Sequence, residues 1–335
     1  MRMEIEKYCT RISLDPLLVQ GAGGNISWKD GDTLWIKASG MWMADAEKKD
    51  IFVPVNLEGL NSAIRNKNFE VIPSLRIKTK LRPSIETLLH ALMPHRVVVH
   101  LHAVEILANL VRHDFSAHLK NRISDTINWG FVEYCKPGPD LAREIEALIK
   151  DAPQMSVVLL GNHGVVLGGD TISEVNIVLK DLVSSLSSPV VNLDLSISLE
   201  NLDLRPLSLG YLLIGDLEIQ QLALNPNIFK WLSTNWALFP DHVVFLGPKP
   251  NIYESWEDFL VKKKSHQDLP KLIFIREVGV YVLPEFNATQ LVQLRCYWDV
   301  ISRQKIHTNI NALSNNDIAS LLNWNAEKFR IQMAR

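Results

Sequence analysis

Two histidines stand two positions apart in "RVVVHLHA", Arg96 to Ala103, at the end of an apolar run. Side chains alternate faces along a strand, so His100 and His102 project to the same side if Val97 to Ala103 is extended, which the β-branched triplet Val97-Val98-Val99 favours. Two imidazoles so placed can grip one cation, because metal–nitrogen distances of ~2.0 to 2.1 Å need ligands converging from one face. The alternative is a pair of half-buried histidines with ordinary partners. A third imidazole comes from "LLGNHGVVLGG", where His163 lies in a turn between two strand-like runs. Gly161 and Gly164 let that turn fold tightly, and His163 is expected to be exposed at a strand end. Three neutral nitrogens would leave one coordination position open, as in catalytic rather than structural zinc sites.

A carboxylate near such a centre would complete the chemistry, and Glu86 in "RPSIETLLH" is the candidate. Pro83 and Ser84 read as a helix start, which puts Glu86 in the first turn near the positive end of the dipole. The plain alternative is an N-terminal helix charge capped with Ser84. His90, one turn further on, is expected to pack along the same helix face. Upstream, "GAGGNISW" and "IKASG" bring Gly21, Gly23 and Gly24 together with Asn25, Ser27, Lys37, Ser39 and Gly40. Successive backbone N–H groups in such turns can cradle an anion, although hairpin turns account for glycines equally well. Neither stretch is a P-loop, since no Gly-Lys-Ser/Thr follows, and neither makes a dinucleotide fingerprint.

The elements that must position these residues alternate apolar runs ("TLWIKASG", "RVVVHLHA", "MSVVLLGNHGVVLGG") with helical patterns ("SIETLLHALM", "DLAREIEALIK"). That alternation implies a mixed α/β domain over residues 1–188. The Ser- and Pro-containing stretch from Ser184 to Leu209 loses periodicity and marks a boundary. A smaller α/β unit is expected over residues 206–335, with a helix at "DLEIQQLALN", a strand-like "HVVFLG", a polar loop at "VKKK", a strand pair in "KLIFIREVGVYVLP" and a helix through "ATQLVQLRCYWDVISRQ". The charge balance, 35 Lys and Arg against 37 Asp and Glu, offers no electrostatic reason to expect nucleic acid or an anionic membrane as partner. Cys9, Cys135 and Cys296 lack metal or disulfide spacing, and neither a signal peptide nor a membrane-length run is present. These features imply a cytoplasmic protein with a small-molecule substrate.

Taken in order, "GAGGNISW", "IKASG", "PSIETLLH" with "VVVHLHA", and "LLGNHGVVLGGD" resemble the successive signatures of the class II aldolase/adducin family, over roughly the first half of the chain. That family includes fuculose- and rhamnulose-phosphate aldolases, ribulose-phosphate 4-epimerase, a methylthioribulose-phosphate dehydratase and the metal-free adducin head domain. The C-terminal part, with "LFPDHVVFLGP" and "LLNWNAEKFR", resembles the aldolase moiety of long bifunctional aldolase/dehydrogenase proteins, without the dehydrogenase part. Asp241 and His242 there read as structural.

The resemblance implies a three-layer α/β/α sandwich around a mostly antiparallel sheet, and a homo-oligomer, commonly a tetramer. It makes His100, His102 and His163 the metal ligands, Glu86 the acid/base, and Asn25, Ser39, Gly40 and Ser84 the phosphate or substrate cradle. Ile85 stands where fuculose-phosphate aldolase has a phosphate-holding serine, so phosphorylation of the substrate stays open. Some members take a tyrosine or other acid from a neighbouring subunit, for which Tyr134 is the candidate. The expected activity is that of a divalent-metal-dependent aldolase, a carbon–carbon lyase, acting on a small hydroxylated carbonyl compound such as a sugar or sugar phosphate through a metal-stabilised enediolate. Zn2+ is the expected ion; Mn2+ and Co2+ suit three imidazoles as well. Epimerisation or dehydration would use the same residues, and an adducin-like interaction module is the non-catalytic alternative.

Overall fold

The computed structural model describes residues 1–190, 204–265, 268–305 and 308–334. Seven strands form the larger sheet: β1 Asn25–Asp30, β2 Thr33–Lys37, β3 Phe52–Asn56, β4 Val97–Leu101, β5 Trp129–Val132, β6 Val157–Leu160 and β7 Gly164–Gly169. Their order is β3-β2-β1-β4-β7-β6-β5. Every pairing is antiparallel except β5 with β6, so the sheet is mostly antiparallel.

Alternation along the central strands builds two cores. Val97, Val99 and Leu101 of β4, with Val157 and Leu159 of β6 and Val165 and Leu167 of β7, pack with helices Arg2–Ile12 and Ile172–Leu186. The intervening Val98, Val158, Leu160 and Val166 pack on the opposite face against Leu89, Leu141 and Ile145 of helices Thr87–Leu92 and Pro139–Asp151. Helix Leu57–Arg65 covers β2 and β3 on a neighbouring cluster. Helices on both faces of one sheet make the three-layer α/β/α sandwich. Each fully buried Val or Leu in it is worth roughly 1.5–3 kcal/mol.

A second sheet of four short strands, β8 Leu212–Leu213, β9 Ile252–Tyr253, β10 Leu272–Ile275 and β11 Gly279–Val282, runs in the order β8-β11-β10-β9. Helices Leu217–Leu224 and Ala288–Ile301 form where helical periodicity places them. Two expectations fail. The strand-like "HVVFLG" belongs to a helix, Pro240–Leu246: Pro240 occupies the first turn, where its missing N–H costs nothing, and starts the helix despite two valines. The expected "VKKK" loop continues helix Trp256–Lys262 into a 3-10 turn, Lys263–Ser265. Half of the expected boundary stretch, residues 191–203, lies outside the described residues.

One helix joins the two sheets. Val104, Leu107, Ala108 and Val111 recur at helical spacing on one side of Val104–Leu110 and its C-cap, and pack with Trp298, Val300 and Ile301 of the C-terminal part. Ile106 and Leu110 on the other side enter the first core. The joint also carries a buried ion pair, Arg303 Nε to Glu105 Oε1 at 2.9 Å. Among the described residues, no helix is long and apolar enough to cross a membrane.

Candidate metal centre

His100 is the penultimate residue of β4 and His102 follows the strand end, while His163 lies in the β6–β7 turn that pairs beside them. The register brings the three rings together with centroids 4.8 to 5.2 Å apart. One ring nitrogen from each lies within 4.8 Å of the other two, so the three can hold a metal ion. His100 Nδ1 is 3.1 Å from the carbonyl oxygen of Val165, which only accepts; the His100 proton therefore sits on Nδ1 and its Nε2 offers a lone pair. That Nε2 is 3.1 Å from His102 Nε2. Two nitrogens on one tetrahedral ion at ~2.0 to 2.1 Å would be roughly 3.3 Å apart, so the spacing fits a shared ligand sphere.

His163 is buried rather than exposed as its turn suggested. Asn162, with φ 51°, directs its side-chain amide into the C-terminal part, where Nδ2 donates to the carbonyls of Leu238 at 2.8 Å and Asn311 at 2.5 Å. The second unit thus covers a turn that would otherwise face solvent. Burial pushes His102 and His163 down to about 3, against the opposing pull of Asp241 and Glu86 respectively, so both rings are neutral and available as ligands at physiological pH.

Glu86 closes one side. It occupies the N-cap of helix Thr87–Leu92, one position before the first turn expected for it, because Ser84 turns the chain: the Ser84 carbonyl accepts from Thr87 N and its Oγ accepts from Glu86 N. The Glu86 carboxylate spans two of the histidines, Oε2 at 3.5 Å from His100 Nε2 and Oε1 at 3.6 Å from His163 Nε2. Burial raises its pKa, but His100, His163 and the amide of Asn25 at 2.8 Å outweigh burial and hold it below the usual carboxylate range. Glu86 Oε1 is buried without a hydrogen-bond partner, as are His163 Nδ1 and Asp241 Oδ2. An unpartnered carboxylate oxygen such as Glu86 Oε1, beside converging imidazole nitrogens, is what a bound cation would satisfy.

His90 does more than pack along its helix. Its Nδ1 meets Ser27 Oγ at 2.7 Å and its Nε2 meets Asn25 Oδ1, which fixes the Asn25 amide with its Nδ2 toward Ser84 Oγ and Glu86. Asn25, Ser39, Gly40 and Ser84 all line the cavity that Glu86, His102 and His163 face. Gly40 has φ 78°, and a β-carbon there would come within 2.9 Å of Met333 Cβ. Tyr134 packs beside the cluster around Trp298, away from this cavity.

Three charged residues line the cavity: Lys37, which the sequence grouped with the glycine turns, and Asp241 and Arg330, which it did not single out for the site. Lys37 is fully buried, donates to the carbonyls of Ala22 at 3.0 Å and Met41 at 2.6 Å, and is pushed down to about 7 by burial. Asp241, read as structural, has Oδ2 3.5 Å from His102 Nδ1 and accepts from Arg330 Nη2 at 2.7 Å. Arg330 also pairs with Glu327 at 2.9 Å. The dipeptide Pro240-Asp241 at a helix start was the available signal for the aspartate; nothing local marks Arg330.

The comparisons place the first half of the chain. Residues 4–185 match the family described as Class II Aldolase and Adducin N-terminal domain. A curated relative, the uncharacterized oxidoreductase YuxG of Bacillus subtilis (strain 168), is 27% identical over 176 residues, 48% of this chain and 25% of the relative, so the match spans about a quarter of its length. Among solved structures, the N-terminal class II aldolase domain of a conserved protein from Thermoplasma acidophilum is 25% identical, with 55% of this chain and 90% of that chain covered and a TM-score of 0.47. A sugar-phosphate aldolase from Thermotoga maritima is 17% identical, with 55% and 91% covered and a TM-score of 0.45. The family match runs over more than half of the 335 residues, and the chain belongs to the class II aldolase and adducin N-terminal domain family.

Proposed function

We propose that this protein is a divalent-metal-dependent aldolase, a carbon–carbon lyase acting on a small hydroxylated carbonyl compound such as a sugar or sugar phosphate. The observation that carries the reading is the convergence of three buried imidazoles on the buried Glu86, whose carboxyl is held below the usual carboxylate range. A protein that only docks partners has no physical need for that arrangement, since burying such groups costs stability unless they are satisfied.

His100, His102 and His163 would hold the ion, with Zn2+ first and Mn2+ or Co2+ as alternatives. When bound, a divalent ion supplies Lewis-acid stabilisation of negative charge developing on substrate oxygens. The chain's own groups do the rest. Glu86 Oε1 has a free lone pair toward His163 and is placed to take and return a proton. Asn25 and Ser84 hold the other oxygen of Glu86 in position, directly and through the Asn25–Ser84 contact, and with Ser39 and Gly40 they form the proposed substrate cradle. In this reading residues 1–188 form the catalytic unit and residues 206–335 roof its cavity through Asp241 and Arg330. Assembly as a homo-oligomer belongs to the same proposal, on the family resemblance.

The test begins with metal content per chain, by plasma mass spectrometry on protein purified without a His-tag or chelator. About one divalent ion per chain supports the reading and is followed by a screen of hydroxy-carbonyl compounds for cleavage. A chain that carries no metal and takes up none from zinc, manganese or cobalt solutions overturns it.

A further inference from the structure

Asp241 lines the cavity at the Nδ1 edge of His102, and it lies outside the residues that match the family. The carboxylate is 1% exposed, its Oδ1 accepts from Arg330, and its Oδ2 has no hydrogen-bond partner while standing 3.5 Å from His102 Nδ1. An unsatisfied oxygen on a buried carboxylate is costly, so the nearest N–H it can recruit matters.

A neutral imidazole has one proton and two places to put it. With the proton on Nε2, His102 would donate across 3.1 Å to the lone pair of His100 Nε2, and the pair would close on itself. With the proton on Nδ1, His102 carries it on the side where Asp241 Oδ2 stands 3.5 Å away and leaves two Nε2 lone pairs facing each other, an arrangement that a cation between them relieves. The charge of Asp241 favours the second tautomer. Arg330 holds Asp241 in place, bound in turn to Glu327 at 2.9 Å on the C-terminal helix Asn325–Met333.

We propose that Asp241 is a positioning residue that fixes the metal-binding tautomer and orientation of His102, so that the C-terminal part of the chain supplies the outer support of a metal centre whose ligands all come from the first half. This rests on the metal-binding reading above. It predicts that the family-matched residues alone hold metal less tightly than the whole chain.

The experiment uses the full chain stripped of metal and titrated with Zn2+ against a chromophoric chelator, and with Co2+ followed by its visible absorption. Three proteins are compared: wild type, Asp241→Asn and Arg303→Met. The last breaks the Arg303–Glu105 pair, which joins the same two parts at residues outside the cavity lining, and so reports any loss of affinity that comes from loosened packing alone. Asp241→Asn is expected to weaken zinc binding by about 10- to 100-fold, the usual effect of losing an outer carboxylate on a ligating histidine, and to shift the Co2+ spectrum. Arg303→Met is expected to lower the denaturation midpoint and leave zinc affinity and the Co2+ spectrum at wild-type values. If Asp241→Asn binds zinc as wild type does, or loses no more affinity than Arg303→Met, the proposal is wrong while the metal-binding reading stands. If wild type itself binds neither ion, both fall. Should Asp241→Asn fail to fold, Asp241→Glu carries the test: displacing the carboxylate by one methylene must cost affinity, and an unchanged affinity overturns the proposal.

Discussion

The histidine cluster at the end of β4 and His242 in the C-terminal part are both buried, and they differ in what surrounds the ring. At the end of β4, His100, His102 and His163 face one another with Glu86 and Asp241 beside them. In the C-terminal part, His242 lies within an aromatic box, 4.3 Å from the ring centroid of Trp236, 4.7 Å from Tyr297 and 5.4 Å from Phe239, with neither ring nitrogen hydrogen-bonded. Burial pushes His242, like His102 and His163, down to about 3. Neutrality is therefore common to both places and cannot be what makes a site. The difference is company: the first cluster brings ring nitrogens and carboxylate oxygens within a few ångströms of one another, whereas His242 has aromatic rings about it and no partner for either nitrogen. A perturbed pKa marks a functional group only when its neighbours converge with it.

The largest test of that contrast is His102→Ala, which should reduce bound metal from about one ion per chain to none at concentrations that saturate wild type, a loss of more than about a hundredfold in affinity; plasma mass spectrometry reads it directly. Glu86→Gln should keep the metal and lose turnover by roughly 10²–10⁴-fold on an identified substrate, and full activity in that variant would remove Glu86 from the acid/base role. Arg303→Met should destabilise the fold by about 3–5 kcal/mol, because the buried Glu105 carboxyl loses its ion-pair partner; a urea melt measures it.

The smallest effect belongs to His242→Phe. Its volume and aromatic neighbours are nearly kept, so stability at pH 7 should change by less than about 1.5 kcal/mol, with metal content unchanged. Its value lies in the pH dependence. A histidine at 6.5 when unfolded and about 3 when folded contributes stability that is complete above pH 6.5 and is lost as pH falls toward 3, since the unfolded chain takes up the proton first. Removing His242 should make the decline in stability between pH 6.5 and 4 shallower, as followed by denaturation at a series of pH values. An unaltered slope would show that His242 is not protonated on unfolding in the way its burial implies.

Much of the first half could be read locally. The β-branched triplet before His100 extends the chain, the Gly-Asn-His-Gly turn brings His163 back beside it, and Pro83-Ser84 starts a helix within one residue of where Glu86 needs it. Those signals lie within a few residues of the groups they place. The burial of His163 could not be read that way, because it depends on Asn162 reaching Leu238 and Asn311 in a part of the chain far away in sequence. The helix at Pro240 was missed for a related reason: "HVVFLG" carries strand propensity, and a proline in the first turn together with packing against helix Ala288–Ile301 overrides it.

By itself the sequence determined which imidazoles come together and in what order along the chain, because strand alternation and tight glycine turns set the directions of His100, His102 and His163 over short distances. Only the tertiary structure decided that the cluster is closed to solvent, that Asp241 stands beside His102, and that Arg330 holds it there. Those relations join residues at least 76 positions apart, and no local preference of the backbone encodes a contact made where two sheets meet across a shared helix.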